Sequence, residues 1–167
     1  MAAVTGPIET ARLVLEPLEP GHADEMVAVL ADPVLYRHTG GQPPSDDELR
    51  RRYELQARGR SDDGTALWLN WIVRERSTGA AVGFVQATVG IAARTADVAW
   101  VVGVPFQGRG YAREAAMAMV DRLHDEGVDG VTAHIHPDNA PSEGVARALG
   151  LGPTTTLVDG EVRWEAR

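Results

Sequence analysis

The chain of 167 residues contains no cysteine and no lysine. Without cysteine there is no thiol nucleophile, no thiolate zinc cluster and no dithiol redox pair. The redox compartment therefore leaves no trace in the sequence. Without lysine, Schiff-base catalysis and a phosphate-loop lysine are both excluded. All sixteen basic residues are arginines, set against twenty-four acids, for a net charge of −8 with histidine neutral. A GC-rich genome that codes arginine in place of lysine is the plain account of that set. No run approaches the ~18 apolar residues of a membrane span. Met1 to Thr10 has neither a basic region nor a long apolar stretch, so no signal peptide is expected. The expectation is a cytoplasmic protein without a membrane partner. The acidic balance disfavours nucleic acid, which needs cations over its phosphates. It mildly favours a cationic partner.

What is present is ordinary globular material, 44% apolar and 24% charged, which argues against disorder. The length suits a single domain over residues 1–167. About 70% of the unfolded surface can be buried at this size, so no covalent or metal staple is required.

Hydrophobic period and turn chemistry give the element order. Arg12–Leu18 reads as a strand. A helix follows over Ala23–Ala31, with Met26, Val29 and Leu30 on one face and Asp32-Pro33 as its stop. After a Gly40–Pro44 loop, Ser45 and Glu48 have capping-box spacing, opening a helix to about Ala57 with Leu49 and Tyr53 inward. Ala66–Arg74 and Ala81–Ile91 form a hairpin about Ser77-Thr78-Gly79. Asp97–Val104 is a further strand, whose continuous apolar run suggests burial on both faces. Ala112–Glu126 is the clearest helix, striped by Ala112, Ala115, Ala116, Met119, Val120 and Leu123, and ended by Gly127. Val131–His136 is a strand, and Asn139-Ala140-Pro141 opens a short helix that Gly150 closes. Thr154–Val158 and Glu161–Glu165 flank Asp159-Gly160, a type I′ hairpin signal. The order is β-α-α-β-β-β-α-β-α-β-β.

Chemistry concentrates in Gln107-Gly108-Arg109-Gly110-Tyr111-Ala112, between a buried strand and a strong helix. Its glycines let the backbone approach a ligand closely. The helix that follows offers free N–H groups and the positive end of its dipole. Together these suit an anion, phosphate best, and Arg109 and Arg113 add positive charge. A glycine turn that only joins strand to helix is the plain alternative. Residue 113 is arginine, so the dinucleotide fingerprint Gly-x-Gly-x-x-Gly/Ala is incomplete. No Gly-x-Ser-x-Gly elbow is present.

This segment resembles the Gln/Arg-x-x-Gly-x-Gly/Ala motif of the GNAT superfamily of acyl-CoA N-acyltransferases. Three further stretches resemble its RimJ/RimL-type branch. Thr10–Leu15 is similar to its opening Thr-x-Arg-Leu-x-Leu strand. Asp97–Val102 is similar to its central strand. Asn139 and Ser142 with Leu149-Gly150 are similar to its Asn-x-x-Ser…Leu-Gly-Phe segment. The departures are Glu16 where the branch often has arginine, Asp97 for glutamate, Ala99 for glycine and Leu151 for phenylalanine. The resemblance implies an α/β (α+β) GNAT fold, a mixed central sheet of about 6–7 strands flanked by about four helices. It implies acetyl-CoA as acyl donor, with no metal, and an amine acceptor, with a homodimer left open.

Resemblance also assigns residues. Backbone around Val102 and Val104 would pair with pantetheine. Gln107, Gly108, Arg109, Gly110, Tyr111 and Ala112 would take the pyrophosphate. Asn139 would hydrogen-bond the CoA arm, although Asn also favours a plain helix N-cap. Ser142 resembles the serine proposed as proton donor to the thiolate, though it reads equally as a small polar residue in a first helical turn. Tyr111 is not placed for that role, because its motif position lies by the pyrophosphate. Asp97 lies on the right strand for a base, but an ordered water serves in many members. His134 and His136 share a strand face, and His134 is the second candidate base; both also read as ordinary half-buried histidines. Tyr36, Arg37 and His38 fall where this branch builds part of the acceptor pocket. Trp68 and Trp71 are opposite in strand phase, so at most one faces any given pocket, and core packing suits both. The activity implied is acetyl transfer to a primary amine, either a protein N-terminus or a small cationic amine, by direct attack in a ternary complex. The alternative is a non-catalytic acyl-CoA-binding or interaction module.

Overall fold

The computed structural model describes residues 6–166. Residues 1–5, part of the leading stretch considered above, and residue 167 lie outside them. The strands are β1 (Ile8–Glu9), β2 (Leu13–Pro17), β3 (Ala66–Glu75), β4 (Ala81–Gly90), β5 (Thr95–Val102), β6 (Gly130–Ile135), β7 (Leu151–Val158) and β8 (Glu161–Ala166). The helices are α1 (Ala23–Val29), α2 (Asp46–Gln56), α3 (Tyr111–Asp125) and α4 (Ala140–Ala148). The strands form one sheet in the order β1-β2-β3-β4-β5-β6-β8-β7. β5 and β6 run parallel and the other neighbours antiparallel. The expected element order holds, and the short β1, paired as Ile8↔Leu15, is added at its start.

Local chemistry sets the helix ends. The Ser45 side chain accepts from the Glu48 N–H at 3.2 Å and caps α2. Asn139 caps α4 by accepting from the Ser142 N–H at 3.3 Å. Gly127, at φ +95°, ends the α3 segment in the left-handed region, and the Val128 N–H returns to the Leu123 carbonyl at 2.9 Å. Asp159 and Gly160, at φ +49° and +81°, make the β7–β8 turn, as a type I′ turn requires.

Strand alternation then divides the apolar residues between two faces. Leu13, Leu15, Leu69, Trp71, Val73, Val85, Val98 and Trp164 pack with Ala115, Met119 and Leu123 of α3. Each full burial of a large apolar side chain contributes about 1.5–3 kcal/mol. On the other face Ile72 and Ala81, with the partly buried Phe84 and Val101, meet Met26, Leu49 and Tyr53 of α1 and α2.

The central strand departs from expectation. Ala96, Val98 and Val102 of β5 are buried, but Asp97 is exposed and Ala99 half-buried. The cluster beneath α1 and α2 reaches β5 only through Val101. The Asp97 end of that face is therefore uncovered. Val104 also lies beyond the strand, which ends at Val102, and opens a 3-10 turn over Val104–Phe106.

Glu16, the charge-reversed position, is neutralised locally. Arg74 Nε donates to it at 2.5 Å, and Arg74 Nη2 donates to Glu25 at 2.6 Å. The Arg74 guanidinium holds both carboxyls below their ordinary range, against the opposing effect of burial.

Candidate active site

Two structural features converge at the end of β5. The first is a gap in the sheet. The parallel β5–β6 ladder has three registered pairs, Thr95↔Gly130, Ala96↔Val131 and Asp97↔Thr132. Past Asp97 the strands part, and β6 continues with β8 through Ile135↔Val162. The edge of β5 from Val98 to Val102 is left facing a wedge-shaped opening. In an extended strand a residue's N–H and C=O point to the same side. The Val102 carbonyl accepts from Gln107 Nε2 at 2.9 Å, leaving its N–H as the donor on that side. The Gln107 side chain is thus turned back onto the strand end and props the following loop.

The second feature is the loop itself. Gly108 and Gly110 both sit in the left-handed region, at φ +79° and +80°, and Gly110 is the N-cap residue of the fifteen-residue α3. The N–H groups of Gly108, Arg109, Gly110, Tyr111, Ala112 and Arg113 find no hydrogen-bond acceptor among the described residues. Exposed donors at the positive end of a helix form an anion cradle. A Cβ on Gly108 would meet nothing within 4 Å, so open space adjoins the loop there.

Buried chemistry anchors the loop from below. Glu75, at the end of β3, is the buried charged residue among those described. It accepts from the Tyr111 hydroxyl, and from Thr78 Oγ1 at 2.8 Å. Arg109 Nη1 lies 3.4 Å from it, and the Arg109 guanidinium sits 5.8 Å from the Phe106 ring centroid. The Tyr111 hydroxyl, supported by Thr78 and Arg109, holds the Glu75 carboxyl below its usual range. The same hydrogen bond from Glu75's side pushes the Tyr111 hydroxyl up. Tyr111 therefore turns its side chain into the core and offers the loop only its backbone.

On the uncovered face of the sheet, Asp97 and His134 meet across the parallel pair. Asp97 Oδ1 lies 2.9 Å from His134 Nδ1 and accepts from Thr132 Oγ1 at 3.1 Å. With Nδ1–H donated to the carboxylate, Nε2 of His134 is the acceptor nitrogen. His136 Nδ1 instead accepts from the Asp138 N–H at 3.1 Å, and its ring stacks on His38 with centroids 5.0 Å apart. Glu161 joins this neighbourhood from β8. Burial raises its carboxyl above the ordinary value, while His134 and His136 pull it down. The sequence reading missed Glu161; the strand phase of the Asp159-Gly160 hairpin was the signal for it.

The remaining candidates separate. Ser142 is half-buried in the first turn of α4, bonded to Asn139 through its N–H. No hydrogen bond joins it to the Asp97–His134 pair among the described residues. Asn139 uses its carbonyl oxygen as the cap and keeps its amide N–H groups as donors. Tyr36 donates its hydroxyl to the Leu30 carbonyl at 2.9 Å and is a structural residue. Trp71 is in the core, donating Nε1–H to the Gly6 carbonyl at 3.1 Å. Trp68 lines a cavity of about 130 Å³ with Pro17, Leu18, Gln56 and Asn70. Among the described residues no three His, Asp or Glu side chains are placed to hold a metal ion. No described helix is long and apolar enough to cross a membrane.

A mixed sheet that splits beside its central strand, with a glycine turn at the head of the next helix, defines the GNAT class of fold. The chain belongs to the GNAT acetyltransferase family: the family described as "Acetyltransferase (GNAT) domain" matches residues 12–152. Solved structures similar to it include a putative GNAT-family acetyltransferase from Bordetella pertussis, 24% identical with TM-score 0.75, covering 96% of this chain and 99% of that one. The ribosomal-protein α-N-acetyltransferase RimL in complex with coenzyme A is 17% identical with TM-score 0.79, covering 96% and 97%. A chimera of the spermidine N-acetyltransferase SpeG from Vibrio cholerae is 17% identical with TM-score 0.74, covering 93% and 95%. No curated protein matches the chain by sequence.

Proposed function

We propose that this chain transfers an acetyl group from acetyl-CoA to a primary amine, by direct attack in a ternary complex. The observation that carries the reading is the wedge between β5 and β6, which opens beside the anion cradle and shares its sheet with the Asp97–His134 pair. The residues present fit the cofactor's chemistry. Unbonded N–H groups from Gly108 to Ala112, with the Arg109 cation, would hold a pyrophosphate. The free backbone edge of β5 would pair with the amide-rich pantetheine arm, and the Asn139 amide would support it. The complex of RimL with coenzyme A supports the choice of ligand.

The thioester supplies an activated acyl group, and this chain's residues do the rest. The Val102 N–H polarises the carbonyl. His134, held by Asp97, takes the proton from the ammonium at Nε2. The freed amine forms the C–N bond as the C–S bond breaks. The Ser142 hydroxyl passes a proton to the departing sulfur and is reprotonated by the proton that the nitrogen loses as the amide forms. Holding both reactants in one wedge lowers the entropic barrier to attack. Cysteine is absent, which suits a route without an acyl-enzyme. The net charge of −8 suits a cationic acceptor, either a protein N-terminus or a small amine; the SpeG chimera's spermidine supports the second.

The test is thiol release from acetyl-CoA with a panel of peptides, polyamines and amino sugars. Release with at least one acceptor is expected. Stabilisation by CoA with no release from any amine would replace this reading with a non-catalytic CoA-binding module.

A further inference from the structure

The anion cradle works only if its peptide groups point the right way, and one of them is held by a residue outside the motif. The Arg109 carbonyl accepts from Arg12 Nη1 at 2.8 Å. Arg12 comes from just ahead of β2, far from the loop in sequence. Its guanidinium is itself fixed on two other sides. Nε donates to Glu114 Oε1 at 2.8 Å, and the group lies 4.7 Å from the Tyr111 ring centroid. Glu114 is fixed in turn by the Thr10 hydroxyl at 2.6 Å and by the Arg12 N–H at 3.1 Å.

A trans peptide is planar, and its C=O and N–H point in opposite directions. The carbonyl of residue 109 and the N–H of residue 110 belong to one such plane. By holding the carbonyl, Arg12 aims the Gly110 N–H the other way, to the side without an acceptor. No other hydrogen bond holds this peptide among the described residues. Gly110 has no β-carbon, so it occupies φ of either sign at similar cost. A crankshaft turn of the 109–110 peptide is therefore sterically open. It would remove one donor from the cradle and put a carbonyl oxygen in its place, against an anion.

We propose that Arg12 is a positioning residue for the cofactor's phosphates, a latch that holds the Arg109–Gly110 peptide with its N–H toward the cradle. The inference rests on the proposed reading of the loop as the CoA pyrophosphate site. Glu114 is the second half of the latch, because it sets the plane of the Arg12 guanidinium. A fork that bonds a carboxylate and a carbonyl at once is chemistry that arginine has and lysine lacks.

Charge and geometry make opposite forecasts for Glu114, and that separates them. Removing a carboxylate beside an anion site tightens CoA binding if net charge governs. It weakens binding if the latch governs. The experiment is calorimetric titration of wild type, Arg12→Gln, Arg12→Lys and Glu114→Ala with CoA, with the KM for acetyl-CoA and for the amine measured alongside. Arg12→Gln is expected to weaken CoA about tenfold or more. Arg12→Lys keeps the charge and is expected to recover only part. Glu114→Ala is expected to weaken CoA despite its charge change. The KM for acetyl-CoA should rise in step, with the KM for the amine within about twofold of wild type. CoA affinity at the wild-type level in Arg12→Lys, or tighter than wild type in Glu114→Ala, would overturn the latch. Should Arg12→Gln fail to fold, the Arg12→Lys and Glu114→Ala pair carries the test. Wild-type protein that binds no CoA would overturn the phosphate reading of the loop itself.

Discussion

Replacing Gly110 with alanine tests the cradle at its most constrained point. Gly110 sits at φ +80° and ψ +12° as the N-cap residue of α3. An L-residue in that conformation costs about 1–2 kcal/mol. Steric crowding adds to this, because the new Cβ would lie 3.3 Å from Nη2 of the Arg12 guanidinium, which must give by a few tenths of an ångström. At this chain length a loss of that size lowers Tm by roughly 2–8 °C. Strain of this kind relaxes by rotation about φ, which turns the peptide N–H groups on either side out of the cradle. One charge-assisted hydrogen bond to a phosphate is worth about 1.5–3 kcal/mol, so CoA affinity should fall about 10- to 150-fold. The control is Gly64→Ala, whose φ is +74° with nothing within 4 Å of its Cβ. It carries the same strain in the loop before β3, away from the cradle. Calorimetric CoA titration with melting curves reads both terms. Equal loss of Tm in the two variants with undiminished CoA affinity in Gly110→Ala would refute the assignment of phosphate to this loop.

Further expectations concern the rest of the molecule. His134→Gln should lower kcat about 10²–10⁴-fold, the range for a lost general base, with the KM for acetyl-CoA little changed; steady-state kinetics check it, and unaltered kcat would return the base to water. Asp97→Asn should reduce kcat less, since it orients His134 without receiving the proton. Arg74→Met should cost about 1–2 kcal/mol near neutrality, a figure discounted because Glu16 and Glu25 are partly exposed to screening water. Both carboxyls are held below their ordinary value of 4.5 in the folded state. Their contribution is therefore full above that value and is lost as pH falls through the depressed range. The gap between wild type and Arg74→Met in urea melts should close in acid, and a gap that persists there would remove the ion pairs as its cause. Tyr53→Phe should leave stability unchanged or raise it by up to about 1 kcal/mol. The Tyr53 hydroxyl is buried without a hydrogen-bond partner among the described residues, and burial pushes its pKa up to about 12; a clear fall in Tm would show that the hydroxyl is satisfied.

What could be read in advance was local. Ser45 and Asn139 cap helices through bonds to residues three positions on, so their sequence spacing already states the contact. Gly108 and Gly110 announce a backbone shape that other residues resist, and a helix follows directly. The contact between Asp97 and His134 was not readable in this way. Period two places each side chain on a face, but only the parallel register Asp97↔Thr132 makes them neighbours. Glu161 enters the same neighbourhood from a third strand. The double-sided burial expected of β5 is met at Val101, which packs under α1 and α2, and falls short at the half-buried Ala99. An apolar run reports what a strand can bury and carries no record of how far α1 and α2 extend across the sheet.

The missing cysteine and lysine, the element order and the glycine loop at the head of α3 were determined by the sequence alone. Each depends on residue type or on spacing within one turn or one strand, where chain geometry leaves little choice. Tertiary structure alone decided that β5 and β6 part after Asp97 and that Gln107 closes over the Val102 carbonyl at the strand end. It also decided that Glu75, at the end of β3, and Arg12, just ahead of β2, reach the loop. The strand parting and the Glu75 and Arg12 contacts involve residues tens of positions apart. Their free energy is realised only once the sheet has set the register that brings them together.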